Sequence, residues 1–211
     1  MKISRRACLK GFGAAMVLGL IGTGLAWRRF GTTQLADLTG WAGFSTDDIA
    51  LLTEIAESII PATDTPGAKT ADVGSFMAVA VTECYEPQHQ SVFVAGLRAV
   101  ESACFAEYGR GFRKVTAAER TSLLSEIDGE RMWCELWNRG ERGLRIVARP
   151  LFGARPEPVQ TPHYFTMMKE LAVLGYFTSQ PGATQALRHK AIPGDYNGSL
   201  PYRKGDRAWS T

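Results

Sequence analysis

Ser45-Thr46-Asp47-Asp48-Ile49-Ala50-Leu51-Leu52-Thr53-Glu54-Ile55-Ala56-Glu57-Ser58-Ile59-Ile60-Pro61 is the stretch from which the fold is read. Its first four residues carry hydroxyl and carboxylate oxygens that accept from the free N–H groups of a first helical turn. Ile49, Leu52, Ala56, Ile59 and Ile60 then recur at spacings of three and four, which places them on one face. Pro61 stops the run, because it has no N–H to donate and its ring clashes with the preceding turn. The stretch predicts an amphipathic helix with one face committed to a core.

The same logic extends along the chain. A loop of Pro, Gly, Thr and Asp runs from Ala62 to about Ala71, and Val73 to Tyr85 is apolar on most sides, as in a helix buried at the centre of a bundle. Glu86-Pro87 closes it. Gln88 to Tyr108 places Val92, Phe93, Leu97, Val100, Cys104 and Phe105 at helical spacing and ends at Gly109, the residue type suited to a left-handed C′ position. Thr116 with Glu119 predicts a capping box ahead of Leu123, Leu124 and Ile127. From Arg131 to Val147 the pattern is aromatic and broken by Gly140 and Gly143; after a Pro-rich loop, Thr161 and Pro162 predict the cap and first turn of a helix running to Gly175. No period-two run of strand length occurs, and no internal repeat. The expected fold is all-α, an irregular bundle of about five to seven helices.

From Gly175 the character changes. Gly, Pro and Asn alternate with Tyr176, Phe177, Tyr196, Tyr202 and Trp209, too broken for one helix and too aromatic for a disordered tail. An ordered, irregular C-terminal tail is expected, with Tyr176, Phe177, Tyr202 and Trp209 as candidate anchors on the bundle or on a second protein.

The N-terminal segment reads as an address. Arg5 and Arg6 stand in Ser4-Arg5-Arg6-Ala7-Cys8-Leu9-Lys10, ahead of the uncharged run Gly11–Trp27. A basic region followed by an apolar one is the pattern of an export signal, and the paired arginines point to the twin-arginine route, which carries folded proteins. Such signals usually have Phe where this chain has Cys8. Cleavage after Ala26 is one reading, and retention as an anchor to about residue 30 or an ordinary signal peptide with incidental arginines are others. The expected organisation is a signal over 1–26, a linker over 27–44, a helical domain over 45–178 and the tail over 179–211. No later segment is long and apolar enough to span a bilayer, so the expected place is the periplasm, peripheral to the inner membrane.

With the signal set aside, the charge balance inverts. Four of the 24 basic residues fall within 1–26, leaving 20 against 21 acidic residues, a net of −1 instead of +3. No nucleic-acid partner is expected of such a chain, since phosphate contacts need a basic excess. Of the four cysteines, Cys84, Cys104 and Cys134 lie beyond the signal, an odd number for an oxidising compartment. One internal disulfide with a leftover thiol, a bridge to another chain, and buried free thiols all fit.

The tail and the first helix carry a resemblance. Tyr176-Phe177-Thr178-Ser179, then Gly182-Ala183, then Pro201 to Trp209, together with Ile59-Ile60-Pro61-Ala62-Thr63-Asp64-Thr65-Pro66-Gly67-Ala68, are similar to elements of the gluconate 2-dehydrogenase subunit 3 family. The resemblance brackets the chain from about Leu51 to Trp209, with Cys84 to Gln160 matching only as generic helix. It implies a non-catalytic small subunit of a bacterial sugar or sugar-acid dehydrogenase. No cofactor is expected in this chain; FAD belongs to a large partner subunit, a multihaem cytochrome c is a further partner, and the twin-arginine translocase reads the signal.

The residues support that division of labour. The chain has no Gly-x-Gly-x-x-Gly between a strand and a helix and no phosphate-binding loop. His89, His163 and His189 are far apart and no Gly-x-Ser-x-Gly elbow occurs. A metal or hydrolytic site would have to gather His163 and His189 with Asp195 or Asp206, and neither catalytic nor metal residues are expected. An export chaperone released after transport is the other alternative.

Overall fold

The computed structural model describes residues 43–132, 136, 162–192, 194, 198–201 and 203–210. All of them fall within one compact unit, Leu35–Thr211. The architecture is all-α among these residues: α1 (Thr46–Ile59), α2 (Val73–Cys84), α3 (Pro87–Tyr108), a 3₁₀ turn (Phe112–Lys114), α4 (117–132) and α5 (Tyr164–Thr178), followed by a π-helical turn at Gly182–Ala186. The segment from 133 to 161, where a broken aromatic helix is expected, lies outside the described residues apart from Leu136.

Local chemistry sets the helix ends. Ser45 caps α1, its hydroxyl accepting from the Asp48 N–H at 3.2 Å while the Asp48 carboxylate accepts from the Ser45 N–H at 3.0 Å. Thr116 and Glu119 form the same reciprocal box at the start of α4, with distances of 2.7 and 3.3 Å. Gly109 ends α3 at φ 65°, a left-handed conformation that glycine adopts without a Cβ penalty. Pro87 opens α3 at its first turn instead of only closing α2, since its missing N–H is one the helix would leave unpaired anyway. At α5 the cap differs from the one expected: His163, not Thr161-Pro162, is the N-cap, its Nδ1 accepting from the Phe165 N–H at 3.2 Å.

One core joins all five helices, with Leu52 and Ile55 of α1, Met77 and Val81 of α2, Phe93, Leu97 and Val100 of α3, Leu123 and Ile127 of α4, and Met168 and Ala172 of α5. Phe112 of the 3₁₀ turn is fully buried among them. Glycines let the helices approach. A Cβ on Gly74 would stand 2.7 Å from the Thr53 backbone nitrogen of α1, and one on Gly96 would overlap the Tyr164 ring of α5. Phe44, just ahead of α1, packs edge-on to Phe93 at 6.0 Å and fixes the entry of the chain.

Charged groups clamp the surface of the bundle. Glu54 of α1 pairs with Lys69 at 2.7 Å and with Arg120 of α4. Arg120 also donates to the carbonyls of Phe112 and Arg113 at 3.0 and 2.9 Å, so a single guanidinium ties α1, the 3₁₀ turn and α4. Burial alone would raise the Glu54 carboxyl, but its hydrogen bonds and charge interactions with Lys69 and Arg120 outweigh that and hold it below its ordinary range.

Candidate partner interface

The loop after α1 is held from both sides. The Glu57 carboxylate accepts from the Ala62 N–H at 3.1 Å and the Lys69 N–H at 2.7 Å, and the Ala68 N–H donates to the Ile60 carbonyl at 3.0 Å. From α5, 110 residues on, the Tyr176 hydroxyl donates to the Pro66 carbonyl at 2.6 Å. Ser179 ends α5 by donating to the Tyr176 carbonyl at 2.6 Å and accepting from the Gly182 N–H at 3.1 Å. At Gly182 a Cβ would overlap the Tyr176 carbonyl, so only glycine lets the chain turn there. The Tyr176 hydroxyl at the Pro66 carbonyl thus joins the Ile59–Ala68 and Tyr176–Ala183 elements.

The tail closes on itself further along. The Arg188 N–H donates to the Ala208 carbonyl and the Ser210 N–H to the Arg188 carbonyl, both at 2.8 Å, pairing Arg188 with Trp209 in a short parallel bridge. The Arg188 guanidinium lies 2.9 Å from Asp206 and 5.4 Å from the Trp209 ring centroid. Asp206 in turn accepts from the Arg203 N–H at 2.9 Å; this backbone donor, with the Arg188 charge, lowers its carboxyl. The tail is ordered and irregular here, apart from its opening π-helical turn.

The expected anchor residues separate into two kinds. Tyr176 is 2 % exposed and belongs to the core, so in this chain its ring faces the bundle instead of a partner. Phe177 beside it is 41 % exposed and Trp209 50 %. Tyr202, Cys134, Arg5 and Arg6 lie outside the described residues. Cys84 is a free thiol on the surface at the end of α2, and Cys104 is a free thiol buried in the core, where burial pushes its pKa up. The two thiols are not joined to each other.

α2 and α5 expose apolar side chains that the sequence reading did not select. Phe76 and Val79 of α2 and Val173 and Leu174 of α5 face solvent, although α2 reads as apolar on most sides and was expected at the centre of the bundle. The helix is instead a wall: Val73, Met77 and Val81 face inward and Phe76, Val79 and Glu83 outward. A stretch this apolar does not reveal by periodicity which flank lacks a neighbour.

His163 caps the start of α5, whereas His189 lies in the tail, beyond the π-helical turn that follows the helix. His189 Nδ1 sits 3.1 Å from Ser210 Oγ. Among the described residues no three His, Cys, Asp or Glu side chains gather as a metal site. No helix among them is long and apolar enough to cross a membrane.

The family model described as gluconate 2-dehydrogenase subunit 3 matches residues 46–194. That span takes in the loop after α1 and the Tyr176–Ala183 element and ends before Pro201–Trp209. Neither a curated protein nor a solved structure matches the chain.

Proposed function

The chain belongs to the gluconate 2-dehydrogenase subunit 3 family, and on that premise we propose that it is the non-catalytic small subunit of a periplasmic, membrane-associated dehydrogenase whose large subunit holds FAD and oxidises a sugar or sugar acid. The observation that carries the reading is the family match across the two elements that meet at Tyr176 and Pro66. The sequence offers no nucleotide-binding fingerprint, which supports placing the flavin in the partner. A flavoprotein folds around its cofactor in the cytoplasm, so a folded partner bearing Arg5-Arg6 supplies the export signal for both. A multihaem cytochrome c would take the electrons onward. The apolar surface of α2 and α5 favours a lasting association over release after transport, because a bare patch on an exported protein invites aggregation.

Replacing Arg5 and Arg6 together by Lys tests this reading. The assembled complex is expected to stay in the cytoplasm with flavin already bound, as fractionation and flavin absorbance would report. Export of the flavoprotein at its normal yield contradicts it.

A further inference from the structure

Among the described residues, two helices leave an apolar strip uncovered. α2 and α5 run antiparallel: Phe76, early in α2, lies on Gly175, late in α5, where a Cβ would stand 2.5 Å from its Cδ1. At the other end, burial and then the charge of the Glu170 carboxylate of α5 push the phenol of Tyr85, just past α2, up from its ordinary value. Phe76 and Val79 are 36 % and 61 % exposed, and Val173, Leu174 and Phe177 are 45 %, 52 % and 41 % exposed. Spacings of three on α2 and four on α5 place these side chains along one side of each helix. The Phe76 ring is seated against Gly175, so its conformational entropy is largely spent before any partner arrives.

The charges of the strip have one sign. Glu83 and Glu170 are exposed on it, α2 has no basic residue, and the single cation of α5, Lys169, is engaged by both oxygens of Asp128 at 3.1 Å. A surface that is apolar along its length and acidic toward one end is complemented by an apolar surface with a basic rim. A second copy of this chain brings the same carboxylates and the same committed lysine. Strip-to-strip pairing would therefore give Glu83 and Glu170 no counter-charge from those helices.

We propose that the α2–α5 strip is where this chain docks on the large flavoprotein subunit, whose facing surface is apolar at its centre and basic at the rim. The proposal rests on the small-subunit reading above. It differs from an interface built on the tail, because Phe76, Val79 and Val173 lie on the bundle itself.

The test uses the full chain, tagged and co-expressed with the large flavoprotein subunit of the same organism. Two double variants are compared with the parent: Val79→Lys with Val173→Lys, and Glu83→Lys with Glu170→Lys. All four sites are exposed, and thermal unfolding of the isolated chain reports whether each variant folds. The first pair is expected to raise the dissociation constant at least about tenfold, the order seen when an interface anchor is lost. The second pair is expected to weaken association most at low ionic strength, where the lost attraction is least screened. Parent-like affinity in both folded variants overturns the docking surface while leaving the small-subunit reading intact. Failure of the unmodified chain to retain any flavoprotein overturns that reading, and the surface with it. A chain that dimerises alone, and becomes monomeric on Val79→Lys with Val173→Lys, assigns the strip to a second copy and overturns the proposal.

Discussion

The bundle and the C-terminal clasp are both ordered, but different forces order them. In the bundle, Phe93, Leu52, Ile55, Met77 and Val100 are fully enclosed. Each deletion there leaves a cavity that rigid neighbours fill only in part. In the clasp, two backbone hydrogen bonds and one guanidinium hold Trp209, half of whose surface stays in water. Exposed ion pairs of that kind contribute little to global stability, so the clasp sets local shape and the bundle sets the melting point. A molecule that is stable in one region and merely shaped in another has parts it can offer to a partner without endangering its fold.

Phe93→Ala is the strongest way to probe that division. Removal of this buried ring is expected to destabilise the chain by about 3–5 kcal/mol, read by denaturant unfolding. A loss below about 1 kcal/mol would mean that the bundle is not close-packed at α3.

Acid should loosen the bundle next. Glu54 and Asp128 both resist a burial effect that would raise them and are held low, Glu54 by Lys69 and Arg120, Asp128 by Arg131 and Lys169. Their folded carboxyls lie below the ordinary values of 4.5 and 3.8, so their contribution is present above those values and disappears as pH falls through the folded ones. Stability should therefore fall as pH drops below about 4.5, with a smaller fall in Glu54→Gln, whose side chain does not titrate. An unchanged pH slope in that variant would remove Glu54 from the account.

Tyr176→Phe isolates the tie between α5 and the loop after α1. It deletes one hydroxyl and leaves the Pro66 carbonyl without that donor, an expected loss of about 1–2 kcal/mol with faster amide exchange around Ala62–Lys69. Unchanged exchange there would show that Glu57 holds the loop alone.

Much of this fold was legible in the sequence, because its signals are local. Ser45 with Asp48, Thr116 with Glu119, and Gly109 each act within one helical turn of the position they mark. What stayed hidden depends on contacts between distant residues. Nothing near Tyr176 indicates that its hydroxyl reaches Pro66, 110 residues earlier, nor that this ring turns inward while adjacent Phe177 turns out. His163 was not selected as the cap of α5, since imidazole is an uncommon cap and Thr161-Pro162 offered a more familiar one. α2 was placed at the centre of the bundle on its hydrophobicity, and the uncovered flank at Phe76 and Val79 shows that apolar composition serves an outer wall as well as a core.

Arg188→Ala has the smallest expected effect. It removes the Asp206 pair and the contact with Trp209, with less than about 1 kcal/mol of global change. The Ser210 amide should nonetheless exchange faster and Trp209 fluorescence should shift. A large drop in melting temperature would place the clasp in the same cooperative unit as the core and erase the contrast between them.

The central claim is that this chain supports redox chemistry without performing it. Tagged chain should be purified with and without the co-expressed large subunit, and flavin absorbance and dye-linked sugar oxidation measured on both. The account predicts flavin and activity in the complex and neither in the isolated chain; bound flavin or sugar oxidation in the isolated chain would contradict it.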